Sequence, residues 1–158
     1  MHKENLNKRE ILEKITPVIE NACMKNGLVP IEIDFQKESG RWFLRIFIFN
    51  NEHPVNLEDC ENLTRSIDNF LDEIIPVKYN LEVSSPGLER KLKSSKEYTI
   101  FKGKKVKLKL REENLTKVIF GRILDFQKNQ GLLVTEEETK EEILIKEENI
   151  LNAQLCFE

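Results

Sequence analysis

The chain has 158 residues, with 25 Lys or Arg against 28 Asp or Glu for a formal net charge of -3; 34% of its residues are charged and 39% hydrophobic. Only 6 Gly and 5 Pro are present, which excludes a collagen-like, low-complexity or disordered chain. No apolar run approaches the roughly 18 residues of a bilayer crossing, the first residues lack the apolar core of a signal peptide, and Cys23, Cys60 and Cys156 have neither disulfide-framework nor zinc spacing, so a soluble cytoplasmic protein is expected.

The first element is a helix. Ile11, Ile15, Val18 and Ala22 recur at helical spacing, with Leu12, Ile19 and Cys23 widening the stripe. Asn7 and Glu10 have the spacing of a capping box, and Gly27 suits a stop. Pro17 falls inside the stripe and removes a backbone donor, so a kink or break after Thr16 is expected. Residues 31–36 alternate at period two, and Trp42 to Phe49 is rich in aromatic and β-branched residues; the short connection through Gly40 makes these an antiparallel pair. Trp42, Phe43, Phe47 and Phe49 read as core rather than as base-stacking platforms. A second helix starts at Asn56, with Asp59 at its third position. It presents Cys60, Leu63, Ile67, Phe70, Leu71 and Ile74 on one stripe and stops at Pro76. Tyr79, Leu81 and Val83 alternate as a third strand.

This order, helix, strand, strand, helix, strand, suits helices packed on one face of a small sheet. It is KH-like in order but lacks a G-x-x-G loop, because no two glycines are three residues apart. Ser84, Ser85, Pro86 and Gly87 read as a turn that closes this N-terminal α/β domain. Ser94 and Glu97 have capping-box spacing and open a short helix through Phe101. In the next segment Val106, Leu108 and Leu110 alternate with Lys105, Lys107 and Lys109, placing three ammonium groups on one face of a strand. Four more strands follow, at 117–126, 132–135, 142–145 and 151–157, the last with Leu151, Ala153, Leu155 and Phe157 on a common face. Five short strands in about fifty residues favour a small closed or nearly closed barrel. The organisation is therefore α+β in two domains: residues 1–84, a linker at 85–93, and an all-β domain at 94–158.

Charge is distributed unevenly along this plan. Residues 1–88 carry 10 basic and 15 acidic side chains, 89–111 carry 10 and 2, and 112–158 carry 5 and 11. A cationic band in an otherwise acidic chain is the footprint of a polyanion contact, and its members are Arg90, Lys91, Lys93, Lys96, Lys102, Lys104, Lys105, Lys107 and Lys109. Arg90 stands out, since a guanidinium beside a rigid turn can grip phosphate or carboxylate through two bonds; an internal pair with Glu82 or Glu89 is its structural alternative. Glu136, Glu137 and Glu138 form an acidic rim suited to a basic protein.

Catalytic signals are weak. His2 and His53 are the two histidines; a His53, Asp59, Cys60 metal set can be drawn, but Cys60 belongs to an apolar stripe. Neither a Walker loop, a G-x-G-x-x-G nor a G-x-S-x-G elbow occurs, and Ser84 and Ser85 have no evident base. No catalytic residue, cofactor or metal is expected.

The segment Tyr79-Asn80-Leu81-Glu82-Val83-Ser84-Ser85-Pro86-Gly87-Leu88-Glu89-Arg90 closely resembles the signature of the bacterial ribosome maturation factor RimP family. Phe101-Lys102-Gly103-Lys104-Lys105-Val106-Lys107-Leu108 is similar to the start of that family's C-terminal barrel, and Thr16 to Glu20 and Leu57 to Cys60 are similar to its two helices. The chain has Asn50-Asn51 and Lys91 where the family commonly has an aspartate with a basic residue, and a proline. The resemblance implies an Sm-like (SH3-like) C-terminal barrel and a non-catalytic role in late assembly of the small (30S) ribosomal subunit. It implies binding to free small subunits, to small-subunit rRNA and to small-subunit ribosomal protein twelve, as a cytoplasmic monomer. A general Sm-type RNA-binding module outside ribosome assembly is the alternative.

Overall fold

The computed structural model describes residues 6–87 and 89–156. The chain divides into two compact units, Met1–Pro86 and Gly87–Glu158. The division lies inside the segment read as a linker. His2, Leu88 and Phe157 lie outside the described residues.

In the first unit α1 (Lys8–Lys25) buries Ile11, Ile15, Ile19, Ala22 and Cys23, and Asn7 caps it by accepting the Glu10 amide at 3.0 Å. Pro17 does not break it. Its missing donor leaves the Glu13 carbonyl unbonded on the solvent side, where both residues are exposed, while the buried stripe holds the helix in one piece. Strands β1 (Val29–Glu38), β2 (Arg41–Phe49) and β3 (Tyr79–Ser84) form a sheet in the order β1-β2-β3. β1 and β2 are antiparallel, and β3 is parallel to β2, which requires the crossover supplied by α2 (Leu57–Ile74). Asn56 and Asp59 form the full reciprocal capping box of α2.

Leu63, Ile67 and Leu71 of α2 meet Leu44, Ile46, Ile48 and Phe35 of the sheet in one core. Two expectations are corrected here. Phe70 is 58% exposed, because it lies beyond the edge of the α2 stripe. Of the four β2 aromatics only Trp42 packs against this core, stacked on Phe35 with ring centroids 4.7 Å apart. Phe43, Phe47 and Phe49 alternate with the buried Leu44, Ile46 and Ile48, so period two turns them to the opposite face of the sheet. On that face Arg45 lies 4.7 Å over the Phe43 ring and ion-pairs with Glu38 and Glu82.

The second unit begins its regular structure with α3 (Ser95–Ile100), followed by β4 (Lys105–Glu112), β5 (Leu115–Gln127), β6 (Gly131–Glu136), β7 (Glu142–Ile145) and β8 (Ile150–Leu155). They form one antiparallel sheet in the order β7-β6-β5-β4-β8. Its inner face buries Val106, Leu108, Leu110, Ile119, Ile123, Leu132, Val134, Ile145 and Ala153, with Tyr98 and Phe101 from the α3 segment.

A closed barrel was expected, and the sheet is open. Among the described residues no ladder joins β7 to β8; β7 has only four residues, and a single 3₁₀ turn at Glu147–Asn149 carries the chain to the far edge. The outer edge of β8 is instead covered by residues 90–92: Lys91 bridges Gln154, the Leu92 amide donates to the Ala153 carbonyl and the Leu155 amide to the Arg90 carbonyl, both at 2.8 Å. In β8 only part of the expected face holds, since Ala153 is buried while Leu151 is 42% exposed.

Candidate nucleic-acid interface

The pairing of residues 90–92 with β8 decides which way the cationic side chains point. Directly paired residues share a face of a sheet, and successive residues alternate. Lys91 pairs with Gln154, Gln154 with Lys107, and Lys107 with Phe120, so these four make one row across the outer face. Asn152, Lys109 and Val118 make a second row, and Arg111 with Thr116 a third. Lys105 and Arg122 are paired on the other side of the first row. Lys91, Lys105, Lys107 and Lys109 are thus brought onto one surface, together with Arg111, Arg122, Val118 and Phe120, which were absent from the expected set. The alternation of Val118, Phe120 and Arg122 was present in the sequence, but only the register shows that they stand opposite the lysines.

Lys91, Lys107, Lys109 and Arg111 have no carboxylate within ion-pair distance among the described residues. Lys105 differs, because its Nζ lies 2.7 Å from Glu137 Oε2. This bond raises the Lys105 pKa and holds the Glu137 carboxyl below its ordinary value. Lys105 Nζ also lies 5.7 Å from the centre of the Phe120 ring. Arg122 donates to the Gly103 carbonyl at 3.2 Å.

Arg90 does not join this surface. The pairing that turns Lys91 outward turns Arg90 inward, where it is 9% exposed. Its Nε donates to Glu97 Oε1 at 2.7 Å and its terminal nitrogen to Glu97 Oε2 at 3.2 Å, a two-pronged pair. Glu97 is 3% exposed and also accepts the Lys93 amide at 3.1 Å. Two expectations fall together. Arg90 is committed to an internal pair, with Glu97 rather than Glu82 or Glu89. Ser94 makes no side-chain cap: the Glu97 amide donates to the Ser94 carbonyl at 3.1 Å instead, and the carboxylate expected to complete the capping box holds Arg90.

Lys102 pairs with Asp125 at 3.1 Å, while Lys93, Lys96 and Lys104 are exposed around α3 and the turn before β4. The acidic rim forms the β6–β7 turn: Glu136 ends β6 and accepts from the Thr139 hydroxyl at 2.9 Å, and Glu137 and Glu138 are exposed. Ser84 ends β3 in an exposed position, Ser85 is exposed, and Gly87 has φ 89°, the left-handed geometry expected of this turn.

Candidate reactive groups are occupied. In His53, Nε2 is 3.2 Å from the Asn50 amide nitrogen and Nδ1 is 2.9 Å from the Pro54 carbonyl oxygen, an arrangement that fixes Nδ1 as the donor, with Asp59 3.8 Å away. Burial, assisted by the charge of Asp59, raises the Cys60 thiol pKa. Among the described residues no three His, Cys, Asp or Glu side chains form a metal-holding group, and no helix is long and apolar enough to cross a membrane.

Residues 18–89 match the family model of the RimP N-terminal domain. This part of the chain is a RimP N-terminal domain, which supports membership of the RimP family. This is a family of ribosome maturation factors, and the match runs from the middle of α1 through β3 to the turn before Arg90. It includes the Ser84-Ser85-Pro86-Gly87 turn on which the resemblance was first read. The basic outer face of the second sheet lies beyond the matched residues, so its role rests on its own geometry.

Proposed function

We propose that the protein is a non-catalytic, cytoplasmic maturation factor for the small ribosomal subunit. It binds free small subunits late in assembly and assists the incorporation of small-subunit ribosomal protein twelve and the folding of nearby rRNA. The RimP family match carries this reading. The basic outer face supports its RNA part: Lys91, Lys107, Lys109 and Arg111 lie side by side with no acidic partner among the described residues, so phosphate can replace their counterions without first breaking such an ion pair. Lys93, Lys102 and Lys104 extend the positive field, and the rim of Glu136, Glu137 and Glu138 attracts a basic ribosomal protein. Arg90 serves by holding residues 90–92 on β8, which keeps Lys91 on the face.

A ring-forming Sm-type module is disfavoured by one observation. Such rings grow through open strand edges, and the β8 edge is already paired with residues 90–92. The test is cosedimentation with small subunits, large subunits and joined ribosomes across a salt series. Selective binding to free small subunits, weakened by salt and by Lys107→Glu/Lys109→Glu, is expected. Equal binding to every particle overturns the proposal.

A further inference from the structure

Among the described residues Phe120 is the only aromatic ring on the outer face of the second sheet, and it is 43% exposed. With Val118, 48% exposed, it makes an apolar patch inside a cationic surface, and Lys105 Nζ lies 5.7 Å from the centre of its ring. Lys107 stands directly opposite, Gln154 is the next position along the same row, and Val118 extends the apolar surface two residues down β5. Asn152 lies in the row of Val118 and Lys109. Neighbouring rows are about 7 Å apart along a strand and neighbouring columns about 5 Å. Cations, amides and one ring therefore lie within a few ångströms of each other on a single surface.

Phosphate alone requires only the cations. The ring adds a requirement for an exposed flat partner, and the amides add donors and acceptors that suit base edges. A paired RNA helix offers phosphates and 2′-hydroxyls but keeps its base faces stacked inside, out of reach of Phe120. Resting on the RNA-binding reading above, we infer that this face takes an unpaired RNA strand: Lys91, Lys107, Lys109 and Arg111 hold the phosphates, one base stacks on Phe120, and Gln154 and Asn152 meet base edges. An acidic protein segment would satisfy the cations and leave the ring and amides without a specific role.

The experiment measures fluorescence anisotropy of two labelled RNAs with the full chain, an oligo-uridine strand and a hairpin duplex with the same number of phosphates. Phe120→Ala is expected to weaken the oligo-uridine complex at least about fivefold, the lower end for losing one stacked base, and the duplex complex less than about twofold. Phe120→Tyr, which keeps a stacking ring, should retain wild-type affinity. Lys107→Gln/Lys109→Gln should weaken both complexes and reduce the single-strand salt slope by about 1.4. Melting temperatures of the variants exclude loss by unfolding. If Phe120→Ala leaves oligo-uridine binding unchanged, or weakens both RNAs equally, the unpaired-strand inference fails while the lysine variants still report phosphate contact. If neither RNA binds, or an acidic peptide binds with the same dependence on Phe120, the RNA part of the proposed function fails with it.

Discussion

The buried Arg90–Glu97 pair makes a quantitative demand on the second unit. Glu97→Ala leaves a guanidinium 9% exposed, without its carboxylate, and frees the Lys93 amide as well. Removing one partner of such a pair typically costs about 3–5 kcal/mol, because the remaining charge stays desolvated. A unit of about 70 residues has a total stability of roughly 4–10 kcal/mol, so the loss is about a third or more of what holds it folded. Arg90→Met should cost as much, since it strands the carboxylate. Arg90→Met/Glu97→Leu should recover most of the loss, because no charge remains to be buried. Urea unfolding followed by Tyr98 fluorescence reports on the second unit in a background lacking Tyr79, while Trp42 reports on the first and should not change. Hydrogen exchange of the Leu92 and Leu155 amides, each bonded at 2.8 Å in the β8 edge, gives a local measure and should accelerate in the single variants. A loss below about 1 kcal/mol in both single variants would refute the reasoning, showing that water reaches the pair and screens it.

Three further outcomes follow from particular contacts. Gly131→Ala should destabilise the second unit by more than about 2 kcal/mol in urea unfolding: a Cβ there would run into the Ile145 carbonyl oxygen, and φ is 123°. Asn56→Ala should lower the stability of the first unit by about 1 kcal/mol, read from Trp42 fluorescence, because the Asp59 amide loses its side-chain acceptor while the Asn56 backbone amide still donates to the Asp59 carboxylate. Burial, and then the nearby Glu20 charge, pushes the Cys23 thiol from 9.0 up to about 12. The unfolded thiol loses its proton first, so the stability of the first unit should be at full value below pH 9 and fall as pH rises from 9 toward 12. Cys23→Ala should lessen that fall and leave the part that comes from Cys60 and Tyr79, whose pKa values are also raised.

The first unit was legible because each of its elements carries its own signal. The α1 stripe, the Asn56 cap and the alternation of β1 and β3 depend on neighbours within a few residues, and tertiary contacts reinforce them. At Pro17 the lost donor and the apolar stripe pull in opposite directions, and buried Ile15 and Ile19 outweigh one exposed lost bond, so α1 does not break. The three phenylalanines of β2 were misplaced for a related reason: in an unbroken apolar run, composition does not distinguish the face that meets the helices from the face that does not. In the second unit the alternation of β4 identified the lysine face. Its neighbours Phe120, Gln154 and Lys91 depend on register and on which edge residues 90–92 join, both of which are long-range facts. Arg90 reads as a two-pronged phosphate or carboxylate ligand beside a rigid turn, with Glu82 or Glu89 as its internal alternative. A one-residue change of face, imposed by pairing with β8, sends it inward to a carboxylate seven residues on.

The Lys105–Glu137 pair joins the basic face to the acidic rim, and it separates two roles for Glu137. Four cations with no carboxylate partner among the described residues, Lys91, Lys107, Lys109 and Arg111, predict a salt slope of about -2.8 on single-stranded RNA. A fifth contact through Lys105 would take it to about -3.5, but Lys105 reaches phosphate only by leaving Glu137, 2.7 Å away. Both side chains keep partial access to water, 26% and 51% exposed, so exchanging the carboxylate for a phosphate replaces one screened contact by another. Glu137→Gln should therefore tighten RNA binding, and it should steepen the slope by about 0.7 if the pair persists in the wild-type complex. Ribosomal protein binding should move the opposite way in the same variant, because a basic partner loses one carboxylate of the rim. Weaker RNA binding in Glu137→Gln would contradict this account, since it would mean that Glu137 orients Lys105 for phosphate rather than competing with it.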